Sequence, residues 1–93
     1  MEAIIIKPNE ENVEVIERDK PFELYELQKL VGGLIEVVPH AIGNMGLKKL
    51  MVVNEEGLIL DLPYNEQASN LLTYFNPYGI RGTAVLMDEG LME

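Results

Sequence analysis

Gly32-Gly33-Leu34-Ile35-Glu36-Val37-Val38-Pro39 is the stretch whose reading decides the fold. Glycine accepts the left-handed backbone that closes a helix, so Gly32 marks a helix C-terminus. The β-branched run behind it suits a strand, Leu34 to Val38. Pro39 lacks the N–H that a ladder needs and ends that strand. Upstream, Asp19-Lys20-Pro21 reads as the matching helix start, with Asp19 or Lys20 at the cap and Pro21 in the first turn, where its missing N–H costs nothing. Leu24, Leu27, Leu30 and Val31 fall at helical spacing. Glu23 and Glu26 come early and Lys29 late, in agreement with the helix dipole.

The same reasoning extends outward. Ile4-Ile5-Ile6 is a short strand stopped by Lys7-Pro8-Asn9, and Val13 to Ile16 alternates in the manner of a strand with one wet face. The two pair as a hairpin around a loop from Pro8 to Asn12. Ala41 to Gly46 is a loop. Leu47 to Val53 is a strand, followed by an Asn54-Glu55-Glu56-Gly57 hairpin turn into a strand Leu58-Ile59-Leu60. Asn65 stands as N-cap of a second helix that carries the stripe Ala68, Leu71, Leu72 and Phe75. Asn76-Pro77-Tyr78-Gly79 breaks that helix, Thr83 to Met87 is a last strand, and residues 88–93 are expected to fray. The order β-β-α-β-β-β-α-β predicts an α+β fold: a mainly antiparallel sheet with two helices on one face, in a single domain over residues 1–93.

Composition excludes several functions. The chain of 93 residues has no cysteine, which removes disulfides, thiolate metal sites and thiol nucleophiles. Sixteen Asp and Glu face seven Lys and Arg, a formal net charge of −9. Phosphate backbones and anionic membranes are repelled, so no direct nucleic-acid binding and no membrane partner are expected. The acids are scattered, as on a solvated surface; the sharper reading is a surface that imitates DNA or grips a basic partner. No run approaches the ~20 apolar residues of a membrane span, and the N-terminus is no signal peptide. A cytoplasmic location is expected.

Catalytic material is thin. His40 is the single histidine, so a His-paired nucleophile or multi-His metal site cannot form within one chain. Ser69 lies inside the predicted second helix, outside any nucleophile elbow. The pairs Glu55-Glu56 and Asp88-Glu89 lack the spacing of a cation loop. The glycines form neither a P-loop nor a dinucleotide fingerprint. No catalytic residue, metal or cofactor is assigned, and the protein is read as no enzyme.

Five residues remain as binding candidates. Glu36, between Ile35 and Val37, is a polar anchor or proton donor if its face is buried and a solvated acid if not. Arg81, flanked by Gly79 and Gly82, either reaches an anion site or pairs with a neighbouring acid, the ion pair being favoured. Tyr64, Tyr74 and Tyr78, in the cluster that also holds Phe75, offer a recognition patch or cap the core.

The motifs Gly-Gly-x-Ile-Glu-Val-Val at Gly32 to Val38, Asn-Glu-Glu-Gly at Asn54 to Gly57, Leu-Pro-x-Asn at Leu62 to Asn65 and Ile-x-Gly-Thr-Ala-Val at Ile80 to Val85 occur in an order that resembles a family of small uncharacterised proteins of phages, plasmids and mainly Gram-positive bacteria. The likeness runs from about Phe22 to Met87. It implies a mobile-element setting, where small acidic proteins often block host defence enzymes or bind signalling molecules, and it brings no reaction or cofactor. The expected function is a non-enzymatic accessory protein of a phage or mobile element that binds a protein, such as an acidic inhibitor of a host nucleic-acid-processing or defence enzyme. The alternative is a small-ligand module with a pocket of tyrosines and Arg81. A homodimer is also expected. Ile4-Ile5-Ile6 and Leu58-Ile59-Leu60 are apolar on both faces, and a sheet covered on one side would leave them seeking a second copy.

Overall fold

The computed structural model describes residues 1–39, 49–71 and 78–92. Among the described residues, five strands form one sheet: β1 (Glu2–Ile6), β2 (Glu14–Glu17), β3 (Ile35–Pro39), β4 (Lys49–Asn54) and β5 (Ala84–Asp88). Their spatial order is β2-β1-β5-β4-β3, and every neighbouring pair is antiparallel. Two helices, α1 (Leu24–Val31) and α2 (Glu66–Asn70), complete the α+β fold.

The helices lie on opposite faces of the sheet, not on one. Cross-strand register puts Ala3, Ile5, Leu50, Val52, Val85 and Met87 on one side, where Leu27 and Val31 of α1 cover them. Ile4, Ile6, Met51, Val53, Ala84 and Leu86 point the other way, toward Ala68 of α2, Ile80 and Leu71. The run Ala84 to Met87 is therefore buried throughout, as a strand covered on both faces must be.

This arrangement removes the premise of the dimer argument. Ile4-Ile5-Ile6 lies in β1, an interior strand between β2 and β5, with an apolar cluster on each side. The edges are β2, whose ends carry exposed Glu14 and Glu17, and β3, which carries exposed Glu36; such charges blunt an edge.

Leu58-Ile59-Leu60 is no strand either. β4 is already paired with β3 on one side and β5 on the other, so no ladder is open to a returning strand. The segment folds instead into a helix-like turn: Leu60 N–H donates to the Glu56 carbonyl at 2.8 Å, Asp61 to Leu58 at 3.1 Å and Leu62 to Gly57 at 2.9 Å. The last two bonds have the connectivity of a Schellman closure, with Asp61 at the left-handed position, φ 53°.

Two ends are also revised. Helix α1 begins at Leu24 behind Glu23, whose N–H donates to Glu26 Oε1 at 2.8 Å, and not at Pro21. The preceding residues are held otherwise. Arg18 takes the Lys20 and Pro21 carbonyls, and Phe22 N–H donates to the Leu91 carbonyl at 2.9 Å. That contact orders the tail as well. Glu89–Leu91 is a 3₁₀ turn, Leu91 is fully buried, and Met92 bridges Phe22. Among the described residues, no helix is long and apolar enough to cross a membrane. The loop Ala41 to Gly46, His40, and the helix positions Leu72 and Phe75 lie outside the described residues.

Candidate functional site

Two buried asparagines organise the end of the sheet where the candidate residues lie. Asn54, the last residue of β4, donates from Nδ2 to the Val31 carbonyl at 3.1 Å and accepts from Glu56 N–H at 2.7 Å. It therefore fastens the C-terminus of α1 to the turn after β4. A Cβ on Gly33 would stand 3.0 Å from Asn54 Nδ2, so the chain after α1 passes close over that amide.

Asn65 is the cap expected from sequence: its side chain accepts from Ala68 N–H at 3.1 Å. It is also 1% exposed and donates to the Ile6 carbonyl at 2.8 Å and the Gly82 carbonyl at 2.9 Å. Three backbone segments meet at one amide. Its orientation follows from its partners, since one donor and two acceptors can be met only with Oδ1 toward Ala68.

Between these anchors the turns interlock. Gly57 packs on Arg81 so tightly that a Cβ would lie 2.8 Å from the Arg81 carbonyl oxygen. Tyr64 and Arg81 form an isolated antiparallel bridge. The Tyr64 ring lies against Gly79, and Ser69 Oγ accepts from Ile80 N–H at 2.8 Å, so this hydroxyl is a structural tie.

Glu36 and Arg81 share a cleft of about 140 Å³ with Glu55, Gly57, Leu58 and Ile80. Glu36 stands opposite Val53 in the register and is exposed, so it is the solvated acid at the mouth and not a buried anchor. Arg81 forms the expected ion pair: Nη1 lies 3.3 Å from Asp61 Oδ1 and 3.3 Å from the Leu62 carbonyl. Its Nε is buried with no hydrogen-bond partner among the described residues.

Tyr64 and Tyr78 do not line the Arg81 cleft. Tyr64 lines a separate hollow of about 410 Å³ with Lys7, Glu10, Glu11 and Gln67. Tyr78 is exposed, and Tyr74 lies outside the described residues. Gln67 donates to the Glu10 and Glu11 carbonyls at 2.7 and 3.1 Å, tying α2 to the loop after β1.

Sequence reasoning missed the turn itself. Leu58, Ile59 and Leu60 are all exposed, Ile59 at 81%. Nothing local separates a three-residue apolar strand from an apolar turn. The distinction came from β4 having no free side.

Charge is settled locally elsewhere on the surface. Arg18 stacks on the Phe22 ring, 4.1 Å from its centroid, and its guanidinium binds both Glu26 oxygens, at 2.9 and 3.2 Å. That hydrogen bond, with the Glu23 N–H, holds the Glu26 carboxyl below its usual range. Lys49 Nζ, 2.6 Å from Asp88, does the same to Asp88, helped by the Glu2 N–H.

The four motifs singled out from sequence thus meet at one end of the sheet: Gly33 against Asn54, Gly57 against Arg81, and Asn65 bonded to Gly82. They are first a set of structural ties. A search of curated proteins and a search of solved structures each gave no match. The family model described as "Domain of unknown function (DUF3846)" matches residues 1–91, and the chain belongs to that family.

Proposed function

We propose that this chain is a non-enzymatic accessory protein that acts by binding another protein, with the Leu58–Leu60 turn as its contact. The observation that carries this is the exposure of three consecutive large apolar side chains on one turn. Single exposed apolar residues need no explanation, whereas a contiguous group marks an interaction surface. Three backbone hydrogen bonds and the Gly57–Arg81 packing hold the turn, which lowers the ordering cost on binding. Exposed Tyr64 and Tyr78 follow in the chain segments joined at the Tyr64–Arg81 bridge and add contact area of the kind that anchors interfaces.

A phage or other mobile element as the setting rests on the motif resemblance. Inhibition of a host nucleic-acid-processing or defence enzyme is one form that such binding takes. An apolar contact is better supported than DNA imitation. Glu14 and Glu17 lie on one edge strand and Glu36 on the opposite edge, roughly 19 Å away at ~4.8 Å per strand, so the acids ring the sheet instead of following one phosphate-like file. The small-ligand alternative has less support: at about 140 Å³ the Arg81 cleft is smaller than the roughly 300 Å³ at which ordinary ligand pockets begin, and the hollow of about 410 Å³ beside Tyr64 does not include Arg81.

The test is a pulldown from the native host with the tagged protein and its Ile59→Ser variant, read by mass spectrometry and followed by calorimetry with the purified candidate. A partner retained by the native protein and lost by an equally stable Ile59→Ser variant supports the reading. Equal recovery by both overturns it.

A further inference from the structure

Charge around the turn specifies the chemistry of what docks there. Glu36 and Glu55 are exposed on the walls of the 140 Å³ cleft, which Leu58 also lines. Glu56 and Asp61 flank the turn in sequence. Of these four carboxylates, Glu36 and Glu55 line the cleft, and Asp61 is paired with Arg81, the cation in that lining, which also holds the Leu62 carbonyl. Lys49, at the far end of β4 from Asn54, is committed to Asp88. The Glu36 and Glu55 carboxylates have no ion-pair partner among the described residues.

Resting on the protein-binding reading above, we infer that the site receives a basic amphipathic segment of the partner: apolar side chains on Leu58, Ile59 and Leu60, and one Lys or Arg side chain reaching into the cleft between Glu36 and Glu55. Three features carry this together. The apolar turn supplies contact area, the cleft beside it is small, about 140 Å³, and the unpaired Glu36 and Glu55 carboxylates select a cation there. An acidic segment would bring like charges together, which disfavours it at an interface. A second copy of this chain would bring the same four carboxylates against themselves. The guanidinium of a partner arginine has the better fit, since its fork can bond two carboxylate oxygens at once.

The probes are two fluorescein-labelled peptides of one amphipathic pattern, built from leucine with lysine or leucine with glutamate, titrated into the full chain by anisotropy. The leucine–lysine peptide is expected to bind and the leucine–glutamate peptide not to. Because a protein of net charge −9 attracts any cation, two charge-matched double variants separate site from field. Glu36→Gln/Glu55→Gln is expected to weaken binding about tenfold, and Glu11→Gln/Glu14→Gln, toward the opposite sheet edge, less than about twofold. All four residues are exposed, so neither pair removes a packed side chain. Amide shifts at Glu36, Glu55 to Leu60 and Arg81 on titration support the placement. Equal weakening by the two double variants, equal binding of the two peptides, or a dimer mass in light scattering that Ile59→Ser abolishes overturns it. If these fail while Ile59→Ser still loses the host partner, the protein-binding reading stands and only the basic chemistry falls.

Discussion

Asn65 Nδ2 donates to the Ile6 carbonyl at 2.8 Å across a sequence separation of 59 residues. The same nitrogen reaches the Gly82 carbonyl, while Oδ1 caps α2. One buried side chain thus joins the end of β1, the entry to β5 and a helix start. This exceeds the role of a cap, and the size of its contribution can be separated from capping.

Asn65→Ala is expected to cost about 3 kcal/mol, of which ~1 is the lost cap and the rest the two carbonyls left without a donor. Asn65→Asp keeps the cap acceptor but sets an anion against two carbonyl oxygens, and should be at least as damaging at neutral pH. Urea denaturation of the three proteins measures this. A loss of only ~1 kcal/mol for Asn65→Ala would mean that the carbonyl bonds contribute nothing.

Asp61 and Gly32 both occupy left-handed positions, at φ 53° and 81°, and only one of them is glycine. Asp61→Gly should raise stability by ~0.5 kcal/mol, since relief of backbone strain outweighs an exposed ion pair. Gly32→Ala should lower stability by ~1 kcal/mol through backbone strain alone, because nothing lies within 4 Å of the added Cβ. Thermal melts that show the opposite signs would contradict both assignments.

Gly57→Ala tests close approach instead. The new methyl, fixed directly to Cα, would meet the Arg81 backbone oxygen at 2.8 Å, and neither side can rotate away. The expected cost is about 2 kcal/mol, together with amide shifts at Arg81 and Gly82. A silent substitution would show that the turn is loosely seated.

Acid should expose the two paired carboxylates. Glu26 and Asp88 titrate below their ordinary values of 4.5 and 3.8 in the folded chain. The unfolded chain therefore binds protons first as pH falls, and the stability from these pairs is full above about pH 5 and is lost on descending through pH 4 and below. Overall charge relief on acidification acts in the other direction for so acidic a chain, so the comparison is with Glu26→Gln. The native advantage over Glu26→Gln in urea midpoint should shrink between pH 6 and pH 3, and a gap that stays constant would sink the ion-pair account.

Duplex DNA should not bind. Arg18, Lys49 and Arg81 are each spent on an acid, and the exposed remainder is mainly carboxylate. A mobility-shift assay at physiological salt without added metal is expected to show no complex, and micromolar retention would overturn the reading.

The sequence by itself determined the local events. Gly32 closes α1 and Asn65 opens α2 because a left-handed cap and a side-chain acceptor are short-range requirements, met within four residues. The strand around Glu36 was legible from its β-branched run, and the hairpin of β1 with β2 from the turn residues between two apolar runs. Tertiary structure alone decided which faces were covered and which strands were edges. β1 became interior because β5, some 80 residues later, pairs with it. The pairing of β4 with β3 on one side and β5 on the other left it with no free side, so Leu58 to Leu60 turned outward instead of extending the sheet. Periodicity reports that a side chain seeks cover. It does not report what supplies the cover, because that depends on contacts between segments whose separation in sequence carries no local signal.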